Sequence, residues 1–321
     1  MRILVTGGAG FIGSRVAAAY REAGHYVAVL DDLSTGRPER LPSGCRFFRG
    51  DLVEADLSAL LAEERIEAVS HHAAHVNVRA SVRDPLGDAR VNVLGTLRLL
   101  EACRGRGVTR VIFASTGGAI YGEPRGPSSS EDEPTEPVSP YGIAKLAAEN
   151  YLRFYRAEHG FETVVLRYAN VYGPGQDGAG EAGVVAIFAQ AMLAGQAPVI
   201  HGDGLQSRDF VFVEDCVRAN VVALSGPSGL WNVGTGVETT VSDLYHRIAA
   251  ALDFSGAPRH DGPAPGEQRR SVLDGEKIRR DLGLPLYTPL DEGLARTIAW
   301  FRRRSATAVE NGETGSMGGV R

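Results

Sequence analysis

Seven residues near the N-terminus, Gly7-Gly8-Ala9-Gly10-Phe11-Ile12-Gly13, constrain this chain more than any other feature of it. They follow an apolar run at 3–5 and precede a helical pattern at 14–23. In that setting the first glycine permits a tight turn, the middle one lets the backbone approach a pyrophosphate, and the last allows the helix to pack closely. The phosphates would rest on the helix N-terminus, where free N–H groups and the dipole favour negative charge. Asp31 closes the next apolar run, 27–30, about 20 residues beyond the glycines, where a carboxylate accepts hydrogen bonds from an adenosine ribose and repels a 2′-phosphate. The pattern therefore predicts a dinucleotide site with NAD preferred over NADP. The bland alternative is a glycine turn without a ligand, and strand, helix and carboxylate together weigh against it. Asp51, after Phe47-Phe48-Arg49-Gly50, reads as a further strand-end acid near an adenine.

Apolar runs at 3–5, 27–30, 68–70, 111–114 and 164–166 alternate with helical patterns that include 14–23, 91–104 and 140–159. That alternation predicts an α/β chain of Rossmann type, a doubly wound parallel sheet with helices on both faces. The composition changes after Gly173: a Gly-rich stretch (173–183), a short helix (184–193), then a segment (199–213) rich in Gly, Asp and Arg. We expect an NAD-binding domain over 1–172 that also receives part of 199–225, and a smaller, interrupted α/β substrate-binding lobe over 173–304. From Ser305 to residue 321 no apolar period continues, so a disordered tail is expected there.

The net charge of −5 offers no basic stripe for nucleic acid. No apolar stretch approaches the roughly 18 to 20 residues of a membrane span. The N-terminus runs straight into a strand, leaving no room for a secretory signal, so a cytoplasmic location is expected. Cys45, Cys103 and Cys216 are far apart and form no C-x-x-C pair, so they read as reduced thiols and suggest no metal. His71, His72 and His75 do not change that reading, because neighbours in a strand face opposite ways and no Cys or carboxylate completes a ligand set.

The chemistry is concentrated further along. In Ser139-Pro140-Tyr141-Gly142-Ile143-Ala144-Lys145 a capping Ser and a Pro suited to the first helical position are followed by Tyr and Lys four apart on one helix face. Free tyrosine, with a pKa near ~10, is a poor base at neutral pH. A nearby ammonium, the helix N-terminus and an oxidised nicotinamide all favour its phenolate. Upstream, the buried run 111–114 leads into Ser115-Thr116-Gly117-Gly118-Ala119-Ile120-Tyr121-Gly122, and hydroxyls at the C-terminal end of a strand lie where such sheets bind ligands.

These motifs, in this order, resemble the extended short-chain dehydrogenase/reductase family, especially its UDP-glucose (UDP-galactose) 4-epimerase branch, from Met1 to about Arg304. The resemblance implies that Gly7, Gly10 and Gly13 with Phe11 and Ile12 hold the dinucleotide, and that Asp31, Asp32, Asp51, Leu52 and Tyr168 line its site. It makes Tyr141 and Lys145 the catalytic pair, assisted by Thr116, with Ser115 as the alternative because one residue is added before Tyr121-Gly122. His71-His72-Ala73-Ala74 and Asn92-Val93-Leu94-Gly95-Thr96 are similar to cofactor-lining segments, which brings in Ala73, Ala74 and Asn92. In family relatives the helices matching 91–104 and 140–159 pair in a homodimer.

The resemblance also supplies a substrate side. Arg167-Tyr168-Ala169-Asn170-Val171-Tyr172-Gly173-Pro174 resembles a segment whose Asn, here Asn170, contacts a nucleotide diphosphate. The stretch from Gly202 to Asp215 resembles one in which Arg208 clamps phosphate, a task suited to a planar, bidentate guanidinium. Val184 and Val185 belong to the same implied UDP-sugar site. Where many members carry a second phosphate-binding arginine this chain has Ala264-Pro265-Gly266-Glu267, with Arg269 or Arg270 as the candidate substitute. Ser271 stands where a bulky aromatic would exclude an N-acetyl group.

Together these features imply UDP-hexose 4-epimerisation through a 4-keto sugar with tightly bound NAD, UDP-N-acetylhexosamines being admitted. A UDP-glucuronate 4-epimerase is the nearer alternative, disfavoured because Pro174 is followed by Gly175 and not Arg. A 4,6-dehydratase is disfavoured because Gly117-Gly118 replaces the Asp-Glu that elimination of water uses. A catalytically silent nucleotide sensor would have lost Tyr141 or Lys145, and both are present.

Overall fold

The predicted alternation is realised, in a computed structural model that describes residues 1–177, 183–262 and 268–310, as one large parallel sheet and one small mixed sheet. In chain order the strands are β1 (Arg2–Thr6), β2 (Tyr26–Asp31), β3 (Arg46–Arg49), β4 (Ala68–His71), β5 (Arg110–Thr116), β6 (Glu162–Tyr168), β7 (Asn170–Tyr172), β8 (Val199–His201), β9 (Ser207–Phe212), β10 (Gly229–Val233), β11 (Glu238–Thr240), β12 (Arg259–Asp261) and β13 (Arg270–Ser271). The helices are α1 (Gly13–Glu22), α2 (Leu57–Glu63), α3 (Val78–Arg83), α4 (Pro85–Ala89), α5 (Thr96–Arg106), α6 (Gly117–Ile120), α7 (Pro140–His159), α8 (Val184–Leu193), α9 (Val213–Ser225), α10 (Val241–Leu252), α11 (Glu276–Leu282) and α12 (Leu290–Glu310).

The large sheet runs β10-β6-β5-β4-β1-β2-β3 with every neighbouring pair parallel. Its central strands are buried along nearly their whole length because helices cover both faces. On one face Val16 and Tyr20 of α1 pack with Ala219 of α9 and Ile278 of α11. On the other, Leu57 and Leu61 of α2 meet Leu99 of α5 and Leu152 of α7. Strand order reverses between β1 and β4, so the crevice for a ligand opens at the C-terminal ends of those strands.

In the small sheet β9 is central, antiparallel to β11 and parallel to β7 and β13, while β8 pairs separately with β12. Phe188 of α8, Tyr245 of α10 and Leu294 and Phe301 of α12 form its core with Tyr172, Phe210 and Phe212. The chain then returns to the large sheet, with α9 packed on its face and β10 paired to β6 at its edge.

Two expectations change. The helix read over 91–104 starts with a π-helical turn, Arg90–Gly95, that feeds α5. Residues 305–310, expected to open a disordered tail, continue α12 to Glu310. No Gly or Pro stands between Trp300 and Gly312, and backbone propensity alone suffices to propagate a helix already docked on a core. Residues 311–321 and the Ala264–Glu267 departure lie outside the described residues. No helix among the described residues is long and apolar enough to cross a membrane.

Candidate active site

A cleft of about 680 Å³ opens at the C-terminal ends of β1, β2, β4 and β5. Of the cofactor residues read from the sequence, all line it except Asn92: Gly7, Gly10, Phe11, Ile12 and Gly13, then Asp31, Asp32, Asp51, Leu52, Ala73 and Ala74, with Tyr141, Lys145 and Tyr168 at the other end. The glycine turn is required by geometry. Gly7 has φ +67°, and a Cβ there would lie 2.6 Å from the Ala73 nitrogen, while one on Gly13 would strike the Gly7 carbonyl. Asp31 is fixed at the floor: Oδ2 accepts the Ala9 N–H at 2.9 Å and Oδ1 the Leu33 N–H at 2.8 Å. Burial raises its pKa, and the two N–H groups oppose that rise. A glycine-walled cradle with a fixed carboxylate at one end fits a dinucleotide.

Asn92 acts from behind the cleft. Its amide accepts the His75 N–H at 3.0 Å and donates to the His75 carbonyl at 2.9 Å, so it fixes the 73–75 wall without lining the cavity. His71 is buried between the hydroxyls of Thr6 (2.7 Å) and Thr96 (3.1 Å). Burial drives its pKa well down, as it drives that of His72 to about 3, so both rings are neutral. Among the described residues no group of three side chains is placed to hold a metal.

Sequence reasoning missed the rim. Arg37 and Arg40 line the cleft beside Gln176 and Asp177. Arg37 pairs with Asp177, Arg40 donates to the Gly175 carbonyl at 2.7 Å and Arg15 to the Pro174 carbonyl at 2.5 Å. The Ser34-Thr35-Gly36-Arg37 loop directly after the ribose-side acids was the available signal.

At the opposite end, Ser139 caps α7 by accepting the Gly142 N–H at 3.2 Å, and Pro140 occupies its first turn. That cap aims Tyr141 and Lys145 at the mouth of the cleft. Lys145 is buried; its Nζ donates to the Ala114 carbonyl at 3.0 Å and sits 4.7 Å from the centre of the Phe113 ring. Burial pulls its pKa down to about 8, against the opposing pull of Asp88 and Glu149. Ser115 and Thr116 both line the cleft, and hydrogen bonding distinguishes the two hydroxyls. Ser115 Oγ donates to Glu149 Oε1 at 2.5 Å, inside a buried network with Arg167, so the alternative assisting hydroxyl is committed to structure. A Cβ placed on Gly118 would lie 3.8 Å from Thr116 Oγ1, 3.5 Å from Asn170 Oδ1 and 3.8 Å from Ser271 Oγ.

Asn170, Arg208 and Ser271 come from three strands of the small sheet. Ser271 of β13 is in register with Arg208 of β9, and Asn170 of β7 with Phe210, two residues further along. Two substrate-side readings meet competing contacts. Arg270 is paired with Glu238 at 2.8 Å and donates to the Gly126 and Pro127 carbonyls, while Arg269 is paired with Asp203 at 2.8 Å, so neither guanidinium points freely at a phosphate. Val185 is buried in the small-sheet core, which leaves Val184 and the first turn of α8 to meet a ligand.

Residues 3–234 match the model of the NAD dependent epimerase/dehydratase family. The chain belongs to that family. Among the family's members it is similar to a UDP-glucose 4-epimerase of Mycolicibacterium smegmatis, 48% identical over 95% of this chain and 100% of the relative. A UDP-glucose 4-epimerase of Thermotoga maritima, solved with UDP-glucose, superposes with a TM-score of 0.93 at 44% identity, covering 95% of this chain and 100% of that one. The Thermus thermophilus UDP-glucose 4-epimerase, solved in complex with NAD, gives 0.90 at 45% identity over 94% and 99%.

Proposed function

We propose that this epimerase/dehydratase family member is an NAD-dependent UDP-hexose 4-epimerase that interconverts UDP-glucose and UDP-galactose and admits UDP-N-acetylhexosamines. One observation carries the reading: Thr116, Tyr141 and Lys145 gather at one end of a dinucleotide cleft, and the two residues after Thr116 are glycines, not acids. Such a site can oxidise and re-reduce a carbinol carbon but lacks the acid and base that elimination of water needs.

Bound NAD supplies reversible two-electron oxidation at C4 of the sugar. The glycine turn and Asp31 would hold its pyrophosphate and adenosine ribose, and Lys145 its nicotinamide ribose. Tyr141 takes the proton of the 4-hydroxyl as phenolate and returns it as phenol, with Thr116 hydrogen-bonded to the reacting oxygen. Lys145, one turn along α7, stabilises the phenolate electrostatically. Inversion requires the 4-keto sugar to turn over while the nucleotide stays fixed. Asn170 and Arg208, on the small sheet, anchor the diphosphate, and Gly117-Gly118 with the small Ser271 leave the sugar room.

The same reading assigns the cofactor to residues 1–172 with the returning 213–233 segment, and the UDP-sugar to the lobe that begins at 173. It includes a homodimer, since α7 exposes Ile143, Tyr151 and Phe154 and the π-turn exposes Leu94. A cytoplasmic site suits the three unpaired cysteines. The test is separate incubation with UDP-glucose, UDP-N-acetylglucosamine and UDP-glucuronate, with products resolved by NMR. The expected result is UDP-galactose from UDP-glucose with no net change in cofactor redox state. Release of a 4-keto-6-deoxy sugar, or turnover of UDP-glucuronate alone, overturns it.

A further inference from the structure

Asp88 is an acid that the mechanism above does not use. It sits on α4, whose first turn is capped by Asp84 accepting the Gly87 N–H at 2.9 Å, and its side chain is buried where α4 packs against α7. Oδ1 accepts from Asn92 Nδ2 at 2.9 Å, while Oδ2 is buried with no hydrogen-bond partner. A carboxylate removed from water in that way is costly unless a positive charge lies close.

The buried cation on the facing helix is Lys145. Its ammonium has three donors, of which the Ala114 carbonyl takes one. The charged and titratable groups around it are Asp88 from α4, Glu149 one turn along α7, Tyr141 one turn back, and His71 and His72 from β4 and the residue after it; Asp88 itself also faces His75 and Asp84. His71 and His72 are neutral. Glu149 is already matched by Arg167 at 2.6 Å, both side chains being buried. Asp88 is matched by no arginine among the described residues, so of the two carboxylates that act on Lys145 it is the one without a guanidinium partner.

We propose that Asp88 is a positioning residue for catalysis: held by Asn92, its carboxylate keeps Lys145 in the ammonium form beside Tyr141. Burial favours the neutral amine of Lys145, and loss of its proton would leave the Tyr141 phenolate without its counter-charge. The inference rests on the catalytic role assigned to Lys145.

The sequence makes a direct test possible, since Lys145 and Lys277 are the chain's two lysines. In holoenzyme labelled with ¹³C-lysine, the two ε-methylene signals are followed from pH 6 to 11, with Lys277 as internal control. In Asp88→Asn, and in the smaller neutral Asp88→Ser, the Lys145 midpoint is expected to fall by about one unit or more, the scale on which a nearby opposite charge acts in a buried site. Asp88→Glu, which keeps the charge, should leave it near the wild-type value. The alkaline limb of kcat should move acidward with the midpoint, while the KM for UDP-glucose stays within about two-fold, since a change felt only in the transition state leaves ground-state binding alone. An unmoved Lys145 midpoint in both neutral variants overturns the proposal, because a purely structural Asp88 is replaced adequately by Asn. The titration needs no substrate. A shifted midpoint with an unshifted kcat limb would uphold the Asp88–Lys145 coupling and count against Lys145 as the phenolate's partner.

Discussion

Arg37 and Asp177 form an ion pair that ties the loop after β2 to the segment after β7, at the rim of the cofactor cleft. Both side chains are more than a third exposed, at 39% and 37%, so the pair adds little to global stability. Its effect should be kinetic. With Arg40 on the Gly175 carbonyl and Arg15 on the Pro174 carbonyl, it straps the 174–177 segment to the NAD-binding edge. Arg37→Ala should therefore speed NAD release several-fold at low salt while leaving the melting temperature unchanged. Wild-type release should accelerate with ionic strength, as an exposed pair is screened, and the variant should not. Stopped-flow displacement of NAD by a fluorescent analogue reads this, and equal off-rates for the two proteins would remove the strap.

The burial of Lys145 sets a pH dependence. A lysine held at about 8 is an ammonium below that pH and an amine above it. Catalysis that needs the ammonium beside Tyr141 must fall as pH rises through about 8, and kcat/KM reports that group in the free enzyme. Lys145→Met should remove the alkaline limb together with most of the activity. Tyr141→Phe, which deletes only the hydroxyl, should lower kcat by ~10² to 10⁴ with UDP-glucose affinity nearly intact. Steady-state rates from pH 6 to 10 and calorimetric binding test both. Wild-type turnover in Tyr141→Phe would reduce the Tyr-Lys pair to neighbours on a helix.

Much of this site was legible because its motifs are local. The turn from Gly7 to Gly13, the acid at Asp31 and the Tyr141–Lys145 spacing each place their groups within one loop or one helical turn, where spacing in sequence is spacing in space. The contacts that escaped the reading are long-range. Arg37 and Asp177 are 140 residues apart. Ser115 and Thr116 both line the cleft and could not be separated until the long-range bond from Ser115 to Glu149 was known. The ion pair of Arg270 escaped the reading for a related reason, since only the pairing of β9 with β11 and β13 brings Glu238 beside it.

Glu149 and Arg167 form the most buried ion pair of the catalytic half, each side chain 5% exposed. Two parallel hydrogen bonds, Arg167 Nε to Oε1 and Nη2 to Oε2, and a third contact from Ser115 tie α7 to β5 and β6, while Arg167 also donates to the Tyr121 hydroxyl at 2.6 Å. Glu149→Gln keeps the shape and leaves the guanidinium buried without its counter-charge. Loss of one partner in such a pair costs about 3 to 5 kcal/mol. Chemical denaturation should show a loss of that order, with the catalytic rate falling less than in Tyr141→Phe, and a loss below about 1 kcal/mol would show that solvent reaches Arg167.

Gly117 and Gly118 are adjacent yet should answer to substitution in opposite ways. A Cβ on Gly117 would lie 2.7 Å from Leu273 Cδ2 and closer still to Cδ1, in a fully packed core, so Gly117→Ala should lower the melting temperature by overpacking, at about 1 to 3 kcal/mol. A Cβ on Gly118 meets nothing nearer than 3.5 Å, so Gly118→Ala should fold normally and retain NAD. Its methyl group, however, projects among Thr116, Asn170 and Ser271, the space that the proposed mechanism assigns to the turning 4-keto sugar. A small displacement of the reacting carbon from the hydroxyls that act on it is costly in rate, so kcat/KM should fall about ten-fold or more. The loss should be greater for UDP-N-acetylglucosamine than for UDP-glucose if, as proposed, the N-acetyl group takes the room left by Ser271. Thermal melts and rates on both substrates separate the two glycines, and a Gly118→Ala enzyme as fast as wild type on both sugars would mean that the hexose turns elsewhere.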